Sequence, residues 1–191
     1  MPKDCLIVVA HQDELNDSFK KLPNLLVTGV GKVNAAYHLT KKLAELRNAG
    51  SLPKHVINMG SAGSKKFPKG ALVAPHRFVQ RDMDCVAFGY DKGVTPGDKS
   101  RVLEHEKVIH DLPSAVCGTG DSFVTTENVD PDIDVVDMEA YALARVCAVE
   151  GISFIAIKYI TDGLDEGGGD DWKGEVKGSA DVMFEYLEKM A

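Results

Sequence analysis

Three carboxylate side chains stand where apolar segments of the sequence end. Asp162 follows the apolar run Ser153–Ile160, Glu139 lies between Met138 and an apolar helical pattern, and Glu14 comes soon after the first apolar run. Most Asp and Glu side chains are surface charges, and Glu14 also fits the acidic first turn of a helix. Burial raises the pKa of a carboxyl group, which suits it to hold or release a proton near neutral pH. Asp162 and Glu139 are therefore the stronger candidates for chemistry.

Other motifs lack the spacing that their chemistry requires. Gly29-Val-Gly31 is followed by Asn34 where a dinucleotide-binding loop has its third glycine, and Gly31-Lys32 lacks the remainder of a P-loop. The acidic segment Asp162–Trp172 does not have the spacing of a calcium loop, so we expect a flexible, solvated loop there. The cysteines are too far apart for a zinc finger or a disulfide framework: Cys5, Cys85, Cys117 and Cys147. We predict neither a metal nor an organic cofactor.

Apolar runs alternate with helical patterns along the chain. The runs predict strands at Cys5–Ala10, Leu25–Thr28, His55–Met59, Ala71–Gln80, Ser114–Cys117 and Ser153–Ile160. The helical patterns cover Lys32–Arg47, Glu139–Glu150 and Glu175–Lys189, and a turn is expected at Gly60–Gly63. Apolar strands separated by helices predict an α/β fold whose mainly parallel sheet is covered on both faces. Ligands of such folds bind beyond the carboxyl ends of the strands.

Length and composition describe an ordinary globular protein. The chain has 191 residues, 44% of them hydrophobic and 27% charged, which predicts a single domain over residues 1–191. Its net charge of −7 argues against general binding to nucleic acid or to anionic membranes. No apolar run reaches the length of a membrane span, and the first one is too short for a secretory signal. We therefore expect a cytoplasmic protein.

The clusters at the strand ends resemble the nucleoside phosphorylase superfamily and, within it, the 5′-methylthioadenosine/S-adenosylhomocysteine nucleosidases. The matching stretches follow one another in family order: Thr28–Ala36, Asn58–Gly63, Asp84–Tyr90 with Pro96-Gly97, Gly120–Phe123, Val136–Glu139 and Ile160–Asp162. The resemblance covers most of the chain. It implies a three-layer α/β/α fold with a central mixed, mostly parallel sheet.

The resemblance also implies roles for individual residues. Glu14 falls on the glutamate that activates water, Asp162 on the aspartate that protonates the purine, and Glu139 on the glutamate that holds the ribose hydroxyls. The other implied contacts are Met138 under the sugar, Phe123 and Val124 at the base, Ser61 near the ribose and water, and Trp172 and His11 near the 5′ substituent. Phe88 and Pro96 match residues that close the 5′ pocket of a neighbouring subunit, which implies a homodimer.

The chain also departs from the family pattern. The stretch between Glu14 and Thr28 is shorter than usual, so the fold is trimmed near its N-terminus, and the segment between Pro96 and Gly120 is short as well. His11 stands where a methionine is usual, and Lys158 stands where an arginine is usual. These departures leave the accepted 5′ group open.

The chemistry of the reaction explains why these residue types belong together. Breaking a purine N-glycosidic bond builds positive charge on the ribose and negative charge on the base, and adenine leaves once it is protonated. An acid on one side of the sugar and a base for water on the other perform this reaction, as in the inverting glycosidases. We therefore expect Asp162 to be the acid, Glu14 to be the base, and Glu139 to stabilise the cationic sugar electrostatically.

Two alternatives remain. The first is a phosphorylase or a hydrolase that acts on another purine or related nucleoside, in which Lys32 or Lys158 could hold phosphate. The carboxylates Asp13 and Glu14 after the first strand oppose a phosphate dianion and favour hydrolysis. The second is a non-catalytic nucleoside-binding homologue. The retention of Glu14, Glu139 and Asp162 argues against it.

Overall fold

The structure, a computed structural model, describes residues 4–125, 129–165 and 168–190. Its strands are β1 (Cys5–Val9), β2 (Leu25–Val27), β3 (His55–Gly63), β4 (Leu72–Gln80), β5 (Val102–Glu104), β6 (Ser114–Thr119), β7 (Val135–Asp137) and β8 (Ser153–Asp162). Its helices are α1 (Asp17–Lys20), α2 (Lys32–Asn48), α3 (Ala140–Glu150) and α4 (Gly168–Lys189). Short 3₁₀ turns cover Gln12–Glu14 and Val86–Phe88.

The strands form one mixed sheet. Its hydrogen-bonded order is β2, β1, β3, β7, β6, β4, β5, and β8 pairs with both β3 and β4. Strands β3, β8, β4, β6 and β7 therefore close into a ring. Five pairings are parallel (β1–β2, β1–β3, β3–β8, β4–β6 and β6–β7), and β3–β7, β4–β5 and β4–β8 are antiparallel. The predicted mixed, mostly parallel sheet is confirmed.

Helices cover the sheet on both faces, because successive side chains of a strand point to opposite sides. In β1, Leu6 and Val8 belong to the core that contains the buried residues of α2 and α3. Ile7 and Val9 belong to a second core, to which α4 contributes Met183 and Leu187. This arrangement gives the three layers α/β/α that the sequence predicts.

The structure corrects two predicted elements and adds two short strands. The glycine-containing segment Gly60–Gly63 is not a turn but the end of β3, which pairs with β8 as far as Gly63 and Asp162. Helix α4 begins at Gly168 rather than Glu175, so part of the expected acidic loop is helical. Asp170 and Asp171 lie in its first turn, where the helix dipole favours negative charge. The short strands β5 and β7 were not predicted, because each takes its hydrogen bonds from residues distant in sequence.

In the described part of the chain, no helix combines the length and the apolar composition that crossing a membrane requires.

Candidate active site

A cavity of about 270 Å³ lies at the carboxyl ends of β1, β3 and β8, where parallel strands of an α/β sheet place ligands. Nine of the eleven predicted site residues line it: His11, Glu14, Ser61, Phe123, Val124, Met138, Glu139, Asp162 and Trp172. Phe88 and Pro96 lie outside it. Parallel pairing of β1 with β3 and of β3 with β8 brings these segments to one edge of the sheet.

Glu14 is a buried carboxylate at the end of the 3₁₀ turn after β1. Its Oε1 accepts hydrogen bonds from the Ser61 amide and from Ser61 Oγ, each at 2.7 Å. Its Oε2 accepts the His11 amide at 3.1 Å, which closes a capping box around the turn. The carboxylate is therefore held by donors from two strand ends.

Ser61 connects Glu14 to helix α4. Trp172, in the first turns of α4, donates its indole Nε1–H to Ser61 Oγ at 2.9 Å, while that hydroxyl donates to Glu14. The Trp172 ring also meets the His11 ring edge to face, with centroids 6.0 Å apart. The start of α4 thus forms the cavity wall beside Glu14.

Asp162 is the last residue of β8 and is only 3% exposed. Its Oδ2 accepts from Thr161 Oγ1 at 3.0 Å and its Oδ1 from the Leu164 amide at 3.2 Å. Burial raises the pKa of Asp162, although both hydrogen bonds lower it. The shift favours the protonated form, which is the form that a general acid needs.

Glu139 is the N-cap residue of α3 and is also buried. Its Oε1 accepts the Gly31 amide at 2.8 Å, from the loop that opens α2. Burial raises its pKa to about 8, and the nearby carboxylates of Asp137 and Glu14 add to the shift. The Lys158 ammonium and the Gly31 amide act in the opposite direction.

A buried ion pair lies next to Glu139, and the sequence did not predict that Lys158 and Asp137 form it. Lys158 Nζ on β8 is 2.8 Å from Asp137 Oδ2 at the end of β7. Burial alone would lower the pKa of Lys158 and raise that of Asp137, but their mutual attraction shifts both in the opposite direction. A lysine inside the apolar strand Ser153–Ile160 is the sequence signal that identifies it, since an unpaired buried charge is costly.

Arg81 also lines the cavity, and the sequence did not predict it as a site residue. Its Nη1 donates to Ser122 Oγ at 3.2 Å, and its Nη2 donates to the Gly120 carbonyl at 3.2 Å and to the Ser122 carbonyl. The guanidinium therefore anchors the segment that precedes Phe123. Its position directly after the strand predicted at Ala71–Gln80 is the only signal for it in the sequence.

Comparison with known proteins identifies the family of the chain. Residues 19–190 match the family described as the Phosphorylase superfamily. The chain belongs to the phosphorylase superfamily. Among its relatives, the 5′-methylthioadenosine/S-adenosylhomocysteine nucleosidase of Geobacillus kaustophilus is 34% identical over 87% of this chain and 79% of its own length. The nucleosidase of the same name from Haemophilus influenzae is 33% identical over 87% of this chain and 74% of its own length.

Solved structures share the fold. A mutant Helicobacter pylori nucleosidase that holds 5′-methylthioadenosine in its active site superposes with a TM-score of 0.84 at 20% identity, over 100% of this chain and 98% of its own. Futalosine hydrolase of the same organism superposes with a TM-score of 0.82 at 20% identity, over 97% and 96%. At this identity the likeness shows the phosphorylase-superfamily fold alone.

The two residues predicted to serve a neighbouring subunit lie on the surface. Phe88 ends the 3₁₀ turn Val86–Phe88 and is 81% exposed, and Pro96 is exposed in the following loop. Neither contacts the cavity of its own chain, so their role in a partner's pocket stays a prediction.

The two lysines considered for phosphate binding are already paired. Lys32 Nζ lies 2.6 Å from Asp82 and 3.8 Å from Asp121, and Lys158 is buried against Asp137. Within residues 4–125, 129–165 and 168–190, no group of His, Cys, Asp and Glu side chains has the arrangement of a metal site.

Proposed function

We propose that this phosphorylase-superfamily chain hydrolyses the N-glycosidic bond of an adenine nucleoside of the 5′-methylthioadenosine or S-adenosylhomocysteine type, releasing adenine and a ribose derivative. The observation that carries the proposal is the convergence of Glu14, Glu139 and Asp162 in one cavity. The relatives named as nucleosidases support the same reaction.

Asp162 acts as the general acid. As the glycosidic bond breaks, electrons move into the purine, and Asp162 transfers its proton to the base, which leaves as neutral adenine. Burial supports this role because it favours the protonated carboxyl group. Phe123 and Val124 form the side of the cavity against which the base packs.

Glu14 acts as the general base. A water molecule bound to its carboxylate attacks the anomeric carbon and gives up a proton to Glu14 as the new C–O bond forms. The three hydrogen bonds from His11 and Ser61 fix the direction of the carboxylate. The indole of Trp172 in turn fixes the Ser61 hydroxyl.

Glu139 holds the ribose hydroxyls, with Met138 beside it under the sugar. The transition state carries positive charge on the ribose, and an ionised Glu139 stabilises that charge in a cavity shielded from water. Trp172 and His11 line the remaining wall, where the 5′ substituent binds.

Hydrolysis is favoured over phosphorolysis by the charges of the site. Lys32 and Lys158 are paired with carboxylates, and Arg81 is bonded to main-chain carbonyls and to Ser122. The anion beside the anomeric carbon is Glu14, which repels phosphate and attracts the proton of a water molecule.

We further propose that the enzyme works in the cytoplasm as a homodimer, in which Phe88 and Pro96 of one subunit complete the 5′ pocket of the other. The strong exposure of the Phe88 ring supports this arrangement, since burying a large apolar side chain against a partner is favourable.

The deciding experiment measures adenine release from 5′-methylthioadenosine with and without phosphate. We expect the same rate of release in both, with a free ribose derivative as the second product. An obligatory need for phosphate would reject hydrolysis. A panel with S-adenosylhomocysteine, adenosine and inosine gives the preference for the base and for the 5′ substituent. Release of hypoxanthine from inosine, without release of adenine from the other nucleosides, would favour the alternative substrate class.

A further inference from the structure

Two charged side chains are buried beside the floor of the cavity. Lys158 and Asp137 are at most 2% exposed at their side chains, and their charged atoms lie 2.8 Å apart. Burying a pair of charges gains little stability compared with apolar residues, whereas leaving one unpaired costs several kcal/mol. A pair at this depth next to a functional carboxylate therefore calls for a reason other than stability.

The pair also builds the turn that carries Glu139. Asp137 Oδ2 accepts the Ala140 amide at 2.8 Å as well as Lys158, and Asp137 Oδ1 accepts the Thr119 hydroxyl at 2.6 Å. Glu139 stands between Asp137 and Ala140 in the chain and caps α3. Because Asp137 and Glu139 lie in the same turn of the chain, a change in the charge of the pair alters the electrostatic potential at Glu139.

Lys158 is the cation whose charge acts on Glu139. The ionisable groups around Glu139 and the neighbouring ion pair are Asp137 on β7, Lys158 and Asp162 on β8, Cys117 on β6, Glu14 and His11 after β1, and Arg81 after β4. Asp137 and Glu14 oppose ionisation of Glu139, and Lys158 favours it. Arg81 is committed to the Gly120 and Ser122 carbonyls.

We propose that Lys158 is a positioning residue that acts, together with Asp137, on Glu139: its buried charge offsets that of Asp137 and lets Glu139 become a carboxylate when the sugar turns cationic. The inference rests on the proposed role of Glu139 at the ribose. It adds that the charges of Lys158 and Asp137 set how readily Glu139 ionises.

The test uses variants that change the two charges in opposite senses. Lys158→Met removes the cation and leaves Asp137 with the hydrogen bonds from Thr119 and Ala140 that favour its anion, so the ionisation of Glu139 should move to higher pH by about one unit. Asp137→Asn removes the neighbouring anion and leaves Lys158, so the ionisation should move to lower pH by a similar amount. Lys158→Met with Asp137→Asn removes both charges, and its profile should return close to that of the unsubstituted protein.

Two readouts follow these shifts. One is the pH dependence of kcat/KM for adenine release, and the other is the ¹³C signal of the Glu139 carboxyl in labelled protein, assigned with Glu139→Gln. Lys158→Arg keeps the charge and should keep both profiles. If Lys158→Met does not fold, Asp137→Asn and the double variant still decide the matter through their predicted difference.

The outcomes separate this inference from the proposed function. Opposite shifts in the two single variants, cancelled in the double variant, support it. Lower kcat or melting temperature with unchanged pH profiles would show a structural role only and overturn it. If the unsubstituted protein released no adenine from any nucleoside, the proposed function would fail, while the carboxyl signal would still report whether the pair governs Glu139.

Discussion

At the scale of single residues, the site depends on the different surroundings of three carboxyl groups. Glu14 is buried but receives three hydrogen bonds from donors in the protein. Asp162 and Glu139 have raised pKa values, and for both the largest cause is burial. The raised pKa of Asp162 suits that carboxyl group to its proposed role as the proton donor.

The role of Asp162 is tested by replacing its proton-bearing oxygen. Asp162→Asn keeps the size of the side chain but provides no carboxyl proton, so we expect turnover to fall by about two orders of magnitude or more. Adenine release at saturating substrate measures it. Asp17→Asn, at an exposed carboxylate on α1, is the control and should keep normal turnover. Near-normal turnover of Asp162→Asn would remove it from the mechanism.

The raised pKa of Glu139 has a consequence for stability. Its pKa is about 8 in the folded protein and 4.5 in a model peptide, so between these values the folded state holds a proton that the unfolded chain has released. The free energy of unfolding therefore falls as the pH rises from 4.5 to about 8. Glu139→Gln cannot lose that proton and should avoid this loss.

We expect Glu139→Gln to exceed the unsubstituted protein in stability by roughly 2–4 kcal/mol at alkaline pH and to match it near the pKa of a free glutamate. Urea unfolding over a pH series measures the difference. Glu185→Gln, at an exposed position of α4, serves as the control and should give no pH-dependent difference. A constant offset for Glu139→Gln across the series would contradict the expectation.

At the scale of elements, the close pairing of β3 and β8 positions Asp162, the proposed acid. The pairing continues to Gly63 and Asp162, and Gly63 has no room for a side chain. A Cβ atom there would lie 2.5 Å from Asp162 Oδ1 and would also collide with the Leu164 side chain. The absence of a side chain at residue 63 is thus what allows the Asp162 carboxyl to occupy its place.

Gly63→Ala is expected to displace Asp162 and to lower kcat at least tenfold, with a loss of about 1–3 kcal/mol in stability from overpacking. Gly178→Ala in α4 is the matched control, because a Cβ there meets no atom within 4 Å. Alanine favours a helix over glycine, so this control should be neutral or slightly stabilising. Activity assays and chemical unfolding compare the two. Equal behaviour of both variants would contradict the steric argument.

At the scale of the whole molecule, the surface carries apolar side chains that a second subunit could cover. Phe88 is 81% exposed, Val86 beside it is 57% exposed, and Tyr37 on α2 is 60% exposed. If two chains associate as proposed, Phe88 leaves water and the 5′ end of the partner's cavity gains an apolar wall.

Phe88→Ser should therefore raise KM for 5′-methylthioadenosine several-fold and change kcat little, because in the proposed dimer Phe88 contacts the 5′ substituent and not the reacting atoms. Val149→Ser, at a valine of α3 that is 74% exposed, is the control and should leave KM unchanged. Sedimentation analysis of both variants reports the oligomeric state. An unchanged KM for Phe88→Ser would argue against the shared pocket.

Much of the arrangement follows from local sequence patterns. Apolar runs of strand length placed β1, β4 and β8, and parallel strands place their carboxyl ends together, so Glu14 and Asp162 were expected at one edge. Strand segments whose hydrogen-bonding partners are distant in the sequence could not be predicted from local patterns. The segment Gly60–Gly63 has the composition of a turn but is held extended by β8, and β7 is a three-residue strand held by β3 and β6.

The sequence by itself determined the fold class, because apolar periodicity is a local property. Position beside apolar segments marked Asp162 and Glu139 as candidates, whereas Glu14 became one only through the family resemblance. Only the tertiary structure decided what surrounds each carboxylate. Lys158 and Asp137 are far apart in the chain, and it is the packing of β7 against its neighbours that brings them within 2.8 Å beside Glu139. A pKa near 8 for that side chain arises from burial and from neighbouring charges, and both exist only in the folded chain.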